Sequence, residues 1–271
     1  MIGIKRKKLN NILITLAGII GSGKSSATQM LAEQLGTKAF YEPVTDNPVL
    51  PLFYKGNEIA AQKRANGEKD ATNPYAYLLQ MFFLNRRFAM IKQAMQDDNN
   101  VLDRSIYEDS LFMKMNTDMG NATQVEYEVY QSTFDNMMEE LPYAAHKKAP
   151  DLMIMIDVSY DTMIKRIKKR GREYEQIEND PSLVDYYQRL LGYYENWKHE
   201  YDASPLLIID GDKYDFMSNL YDRKAVLTMV YDELLKIGSI DKVRYNTLVD
   251  KLKYLKITTH QGEYDADSQS A

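Results

Sequence analysis

The sequence predicts a three-layer α/β fold in which a five-stranded parallel sheet is flanked by helices on both faces. Five short apolar runs alternate with stretches of helical periodicity along the chain. The runs are nearly continuous in hydrophobicity, as is typical of strands that are buried on both faces. At 271 residues the chain is long enough to bury one substantial core.

The strands are predicted where β-branched or apolar runs stop at a residue that ends regular structure. The first run stops at Gly18, the second leads into Glu42 and Pro43, and the third is followed by Asp103. Carboxylates at strand ends lie at the mouth of such sheets. The predicted strands are residues 11–17, 37–41, 100–102, 151–158 and 206–209.

Helices are predicted from apolar residues that recur every three or four positions. The clearest stripe is expected to lie in the core or in a dimer interface, and consists of Leu183, Tyr186, Tyr187, Leu190, Leu191, Tyr194, Trp197 and Tyr201. Residues 55–72 are polar and charged, and we expect a mobile loop or a short helical excursion. The polar, acidic tail 257–271 is expected to be disordered, which leaves one domain over residues 1–256.

The composition excludes several classes of function. With 34 Lys and Arg against 39 Asp and Glu, the net charge is −5, which disfavours a general nucleic-acid-binding surface. The chain has no cysteine for a disulfide, thiolate metal site or nucleophile, and its 3 scattered histidines do not form a zinc site. No apolar run approaches the roughly 20 residues of a membrane helix, and no signal-peptide core follows the basic segment 1–11. We therefore expect a cytoplasmic protein with no membrane partner.

The strongest motif is GIIGSGKS at residues 18–25, which fits G-x-x-x-x-G-K-[ST] between a predicted strand and a predicted helix. Its glycines let the backbone curl so that consecutive N–H groups point at phosphate oxygens. Lys24 adds positive charge near the β- and γ-phosphates, and Ser25 can offer its hydroxyl to Mg²⁺. The motif predicts that ATP and Mg²⁺ bind at Gly18, Ile19, Ile20, Gly21, Ser22, Gly23, Lys24, Ser25 and Ser26.

Two acids, Glu42 and Asp103, follow the second and third strands, and both are expected to face the phosphate loop. Two carboxylates in that place suit phosphoryl transfer to an alcohol. One can accept the hydroxyl proton while the other orients Mg²⁺ or its water. For each acid taken alone, a helix cap or a surface position is the alternative.

Six cations occupy eight positions in KRIKKRGR, residues 165–172. Arg166 and Arg170 share a helix face, Gly171 can act as a hinge, and Arg172 lies beyond it. Such a segment can close over a triphosphate as a lid and neutralise charge in the transition state. The alternatives are a nucleic-acid or localisation patch and a solvated helix face.

Seven segments, in this order along the chain, carry a resemblance to a known family: GIIGSGKS (18–25), FYEP (40–43), DNPVLPLFY (46–54), YLLQMFFLNRRF (77–88), LDRSIYEDSLF (102–112), IDVSYDTMIKRIKKRGREYEQ (156–176) and DYYQRLL (185–191). They resemble the deoxynucleoside kinase family, and most closely the deoxyadenosine/deoxyguanosine kinases of lactic-acid bacteria. The resemblance implies a P-loop kinase fold with a helical lid at 165–176, and transfer of the γ-phosphate of ATP to the 5′-hydroxyl of a deoxynucleoside in nucleotide salvage. Deoxyadenosine and deoxyguanosine are favoured as substrates, and deoxycytidine is the alternative.

The resemblance implies roles for residues around the acceptor hydroxyl. Glu42 is similar to the acid that contacts the 5′-hydroxyl, and Asp103 is the other candidate proton acceptor, as well as a candidate metal ligand with Ser25. Arg104 resembles the arginine that holds the reacting 5′ oxygen or phosphate. Tyr54 and Glu175 resemble the pair that hydrogen-bonds the sugar 3′-hydroxyl.

The resemblance also implies a base-binding set. Gln80 is similar to the base reader, supported by Arg87 and Asp109, and Arg166, Arg170 and Arg172 match the lid arginines. A glutamine amide both accepts and donates, so it fits an exocyclic amine beside a ring nitrogen, as in adenine and cytosine. Alternatively, Gln80 is an exposed helix residue and Arg87 with Asp109 a structural ion pair.

Two rival functions share part of this pattern. A nucleoside monophosphate kinase of the thymidylate type has the same loop and strand-end acids, but commonly carries an arginine just before Glu-Pro, where this chain has Tyr41. A P-loop NTPase switch needs a positioned hydrolytic water. Gln80 could serve that role, but it lies among aromatic residues in an apolar helical stretch, which favours a base pocket.

One departure from the family is residues 55–72, an extra polar segment where compact relatives have a short connection. We hypothesise that it is a mobile flap over the sugar and base. The resemblance further implies a dimer formed by helices over 75–95 and 109–141, either with an identical chain or with a related kinase subunit.

Overall fold

The computed structural model describes residues 12–41, 47–95, 99–144 and 149–256. Five strands form one sheet in these ranges, with the order β2-β3-β1-β4-β5, and every neighbouring pair is parallel. The predicted fold class is confirmed. The strands are β1 (Leu13–Ala17), β2 (Lys38–Phe40), β3 (Asn100–Asp103), β4 (Leu152–Asp157) and β5 (Leu206–Asp210).

Helices connect the strands and cover the sheet. Two short 3₁₀ turns, Ile106–Glu108 and Glu173–Glu175, lie beside the site described below. In the described part of the chain no helix is long and apolar enough to span a membrane. The helices are α1 (Lys24–Leu35), α2 (Leu50–Ala65), α3 (Ala76–Ala94), α4 (Asp109–Asp118), α5 (Gln124–Ala144), α6 (Tyr160–Arg170), α7 (Leu183–Glu200), α8 (Leu220–Lys236) and α9 (Lys242–Leu252).

The sheet is buried on both faces because side chains of successive strand residues point in opposite directions. Ile14 and Val101 lie in one apolar cluster, and their neighbours Leu13 and Leu102 lie in another. Helices α1, α7 and α8 contribute to the first cluster, and α3 and α5 to the second. Each fully buried aliphatic side chain contributes about 1.5–3 kcal/mol, so this arrangement fixes the strand ends that carry the functional residues.

Helix α7 contains the predicted apolar stripe. Tyr187, Leu190, Tyr194 and Trp197 are buried, which confirms that this face of the helix lies in the core. The positions are three, four and three residues apart, so they form one stripe along the helix.

Most of the polar segment 55–72 is helical, because residues 55–65 continue α2. The segment is tied to the rest of the chain at its end. The Arg64 side chain donates to the carbonyls of Ala71 at 2.9 Å and Gly120 at 2.7 Å. Of the two structures expected, the helical one is present, and closure of this segment as a flap stays a prediction.

Residues 109–141, where helices of a dimer interface are expected, contain two helices, α4 and α5. The break falls where Gly120 adopts a left-handed φ of 69° and the amide of Asn121 turns back to the carbonyl of Asn116. Glu42 and the tail 257–271 lie outside the described residues, so the expectations for them remain predictions.

Candidate active site

The phosphate loop follows β1 directly and leads into α1, as its motif predicts. Gly18, Gly21 and Gly23 have φ values of 135°, 73° and 98°, a region that glycine tolerates without steric cost. A Cβ on Gly18 would also lie 2.6 Å from the carbonyl oxygen of Ile156. The loop therefore needs glycine at its first position for its conformation and for its close approach to β4.

Lys24, the first residue of α1, folds back across this loop. Its buried Nζ donates to the carbonyls of Gly18 at 2.7 Å and Ile19 at 2.9 Å. The loop thus holds a positive charge beside the positive end of the helix dipole, an arrangement that favours an anion.

Asp103 ends β3 next to β1 and is buried against the start of α1. The Ser25 hydroxyl donates a short hydrogen bond to its Oδ2. The structure therefore brings together the two side chains predicted at the metal. A hydroxyl and a carboxylate are hard oxygen ligands that fit Mg²⁺, which is usually held by one or two protein ligands and by phosphate oxygens.

Arg104 has an unusual backbone, with a φ of 74° that no other non-glycine residue shares in the described ranges. A left-handed conformation costs a residue with a side chain about 1–2 kcal/mol. Its guanidinium lies 5.3 Å from the centre of the Phe112 ring, and Nη1 donates to the Tyr194 hydroxyl at 3.3 Å. These contacts hold the Arg104 side chain against Phe112 and Tyr194.

Glu108, which the sequence reasoning did not single out, lies at the centre of this region and is fully buried. Its Oε1 accepts from the Gly18 amide at 3.0 Å and the Tyr194 hydroxyl at 2.6 Å, and its Oε2 accepts from the Ser105 amide at 2.9 Å. Burial, and secondarily the Glu108 charge, raises the pKa of Tyr194 well above its usual value. The Ser105-to-Glu108 spacing is a capping-box signal that could have drawn attention to this acid.

The three predicted base-binding residues lie on helices α3 and α4. Gln80 and Arg87 are buried on α3, seven residues and thus two turns apart on one face. Arg87 Nε donates to Asp109 Oδ2 at 2.6 Å, with 3% and 1% of the two side chains exposed. Burial, with the charge of Asp109, raises the pKa of the neighbouring Tyr130. The two buried charges compensate each other.

The predicted lid comprises the end of α6 and the 3₁₀ turn that follows it. Arg166 reaches the phosphate loop, where it donates to the carbonyl of Ser22 at 2.6 Å, and to that of Gly211 at 2.8 Å. Burial lowers the pKa of its guanidinium. Arg170 and Arg172 instead pair with the buried Glu175, at 2.5 and 3.5 Å.

Tyr54, predicted to share the sugar with Glu175, is half-buried next to it. Its ring lies 5.6 Å from that of Tyr174, and burial raises the pKa of its phenol, with smaller contributions from Tyr186, Tyr174 and Glu175. The structure thus places Tyr54 beside the turn that carries Glu175, on a different helix from Gln80.

These features define the chain as a P-loop phosphotransferase. They are the glycine-rich loop with its lysine, the hydroxyl–carboxylate pair at the neighbouring strand end, and the arginine that reaches the loop from α6. Comparison with known proteins gives the family. The pattern of the family described as deoxynucleoside kinase matches residues 14–236, and the chain belongs to this family.

Individual relatives and a solved structure support this family assignment. A deoxyguanosine kinase of Lactobacillus acidophilus is 55% identical over 228 residues, 84% of this chain and 93% of its own length. A deoxyadenosine kinase of the same organism is 52% identical and covers 84% of this chain and 99% of its own length. A solved structure of a deoxyadenosine kinase from M. mycoides with bound dATP superposes with a TM-score of 0.60 at 27% identity, over 81% of this chain and 99% of that chain. The predicted deoxynucleoside kinase activity is confirmed, and the monophosphate kinase and switch alternatives are not favoured.

Proposed function

We propose that this kinase transfers the γ-phosphate of ATP, with Mg²⁺, to the 5′-hydroxyl of a purine deoxynucleoside in cytoplasmic nucleotide salvage. The observation that carries the proposal is the Ser25–Asp103 pair, which joins the helix after the phosphate loop to the end of β3. The Gln80, Arg87 and Asp109 set is buried on α3 and α4, and α4 follows β3 after one short 3₁₀ turn. A donor triphosphate and a nucleoside would meet at that pair.

Each group has a defined task in this proposal. The loop amides and Lys24 hold the β- and γ-phosphates, and Arg166, Arg170 and Arg172 neutralise charge that spreads over the transferred group. Ser25 and Asp103 would hold Mg²⁺, and the metal, when bound, would supply positive charge that offsets the charge of the phosphates. Either Glu42 or Asp103 accepts the proton of the 5′-hydroxyl, and Arg104 holds the reacting oxygen.

Two further sets of groups would recognise the acceptor. Tyr54 and Glu175 would hydrogen-bond the 3′-hydroxyl, which requires Arg170 and Arg172 to turn from Glu175 to the phosphates. Gln80 would read the base edge, and its amide can rotate to match either adenine or guanine. The similar Lactobacillus enzymes are named for deoxyguanosine and deoxyadenosine, which supports a purine.

The test is phosphate transfer from ATP-Mg²⁺ to deoxyadenosine, deoxyguanosine, deoxycytidine and thymidine, with thymidine monophosphate and no acceptor as controls. We expect turnover with one or both purine deoxynucleosides. The Lys24→Ala variant controls for contaminating kinases, and it should be inactive on all of them because the loop loses its cation. Activity confined to the monophosphate, or hydrolysis that needs no acceptor, would contradict the proposal.

We also propose that the enzyme is a dimer, with an identical or related chain, through α3 and α5. Exposed apolar side chains occur on both helices, namely Leu78 on α3 and Val125 and Val129 on α5. Burying such residues between two copies would remove apolar surface from water. Sedimentation velocity of the purified chain checks this, and a monomer at micromolar concentration would contradict a homodimer.

A further inference from the structure

We propose that Glu108 is a positioning residue for phosphoryl transfer, which holds the phosphate loop and Arg104 in one fixed geometry. This inference rests on the proposed function, but it concerns an acid to which the proposed function assigns no role. Removing a carboxylate from water is costly unless hydrogen bonds and positive charge compensate it. Glu108 has such partners from three separate parts of the chain.

On the side of the phosphate donor, Glu108 fixes the orientation of the first peptide group of the phosphate loop. The Gly18 amide donates to Glu108, while the Gly18 carbonyl accepts from Lys24 Nζ at 2.7 Å. Because the N–H is held by the carboxylate, the conformation of Gly18 is fixed, and so is the oxygen on which Lys24 rests. A glycine at this position could otherwise adopt several backbone conformations.

On the acceptor side, Glu108 faces the guanidinium of Arg104. Nη1 lies 3.9 Å from Glu108 Oε1, and both side chains also contact the Tyr194 hydroxyl. Arg104 carries the strained backbone, and such strain persists only where the surroundings hold the residue in place. Glu108 and Tyr194 supply that constraint, together with the Phe112 ring.

Helix α7 links the same carboxylate to the lid. Tyr187 and Tyr194 are two turns apart on one face of α7, and the Tyr187 hydroxyl donates to the Glu175 carbonyl at 2.9 Å. Trp197, on the same face, donates to the Tyr107 carbonyl at 3.1 Å. One rigid helix therefore fixes Glu108 relative to the turn that holds Glu175.

The decisive variant is Glu108→Gln. The amide keeps an oxygen for Gly18 and Tyr194, but its NH₂ then faces the Ser105 N–H, donor against donor, and the negative charge beside Arg104 is lost. We expect kcat to fall at least tenfold, with the KM for nucleoside changed less than threefold. The melting temperature should stay close to that of the control.

The matched control is Glu126→Gln. Glu126 closes the same kind of capping box with Thr123 at the start of α5, on the surface, so the change removes an equivalent cap away from the site. It should leave kcat and both KM values unchanged. Tyr194→Phe removes the hydroxyl between Glu108 and Arg104 and should lower kcat in the same direction. The double variant should be little worse than Glu108→Gln alone, because the two changes disrupt one shared network.

A purely structural role gives a different result. Glu108→Gln would then lower the melting temperature and the active fraction, while kcat per folded site stayed at the wild-type value, and this outcome overturns the proposal. Additive effects of Glu108→Gln and Tyr194→Phe also overturn it. If Glu108→Gln does not fold, wild-type kcat in Tyr194→Phe is sufficient to reject the inference. Absence of activity in the wild-type chain would instead reject the proposed reaction.

Discussion

At the scale of single residues, the site buries charged groups in matched sets. Arg87 and Asp109 form a buried ion pair with 2.6 Å between donor and acceptor. Replacing both members of such a pair by apolar residues is often neutral or stabilising, whereas removing one costs about 3–5 kcal/mol. Stability alone therefore does not account for the pair, which favours its proposed role in the base pocket.

The first prediction concerns the proton acceptor. In Asp103→Asn the amide oxygen can still accept from Ser25, but the group no longer takes up a proton from the acceptor hydroxyl. We expect kcat to fall roughly 100-fold or more, with ATP affinity within a few-fold of wild type, because a general base contributes about 10²–10⁴-fold. Steady-state kinetics and calorimetric ATP titration measure the two effects, and Glu42→Gln tests the other candidate in the same way.

The control for Asp103→Asn is Asp185→Asn, which removes an exposed carboxylate on α7 that pairs with Arg189 at 2.6 Å. This variant should behave as wild type because exposed ion pairs contribute little. Wild-type turnover in Asp103→Asn would remove this acid from the chemistry. Strong losses in both Asp103→Asn and Glu42→Gln would mean that the two acids divide the roles of base and metal ligand.

At the scale of elements, α2 shows what a sequence pattern cannot reveal. Its buried residues are Gly56 and Ala60, four positions apart, so the buried stripe is narrow and consists of small side chains. No apolar periodicity marks such a helix, and its charged residues are those of a solvated loop. The Asn73 side chain holds the helix in place by donating to the Phe53 carbonyl at 2.8 Å and to Asn57 Oδ1 at 2.7 Å.

A glycine substitution tests this packing. A Cβ on Gly56 would lie 2.0 Å from Asn73 Oδ1, so Gly56→Ala must displace the asparagine. We expect a loss of about 1–3 kcal/mol, despite the gain of about 0.5–1 kcal/mol that alanine brings to a helix interior. Thermal unfolding of the variant and the wild type measures this net loss of stability. Gly192→Ala is the control, because nothing within 4 Å opposes a Cβ there and the change should stabilise α7. Equal melting temperatures for the two variants would show that α2 does not pack on Asn73.

The strands and the phosphate loop, by contrast, could be predicted to within two residues. Apolar runs such as 100–102 have few alternatives to a buried strand, and a glycine motif directly after one has a defined geometry. Glu108 could not be predicted as a buried residue, since an acid in a polar stretch of sequence usually lies at the surface. Its burial depends on contacts with Gly18 and Tyr194, about 90 positions away in each direction.

At the scale of the whole molecule, the core contains an unusual number of phenols. The sequence has 21 tyrosines, and Tyr130, Tyr187, Tyr194 and Tyr231 are among its largest fully buried side chains. Burial raises the pKa of each of them, and it raises the pKa of Tyr107 to about 12. These groups remain neutral in the folded chain at a pH where tyrosines of the unfolded chain, with pKa values near 10, ionise.

Stability should consequently fall steeply in alkali. A raised folded-state pKa contributes stability that is complete below about pH 10 and is lost as the pH rises towards the folded pKa. Each buried tyrosine therefore lowers the free energy of unfolding by about 1.4 kcal/mol per pH unit in that window. We expect urea midpoints to fall between pH 10 and 11, and absorbance at 295 nm to rise cooperatively with unfolding.

Tyr231→Phe removes a buried hydroxyl that has no hydrogen-bond partner in the described part of the chain, so the stability of this variant should decline less steeply with pH. Tyr254→Phe, at an 83% exposed position, should follow the wild-type curve. If Tyr231→Phe keeps the wild-type slope, burial of this phenol does not govern the alkaline limit.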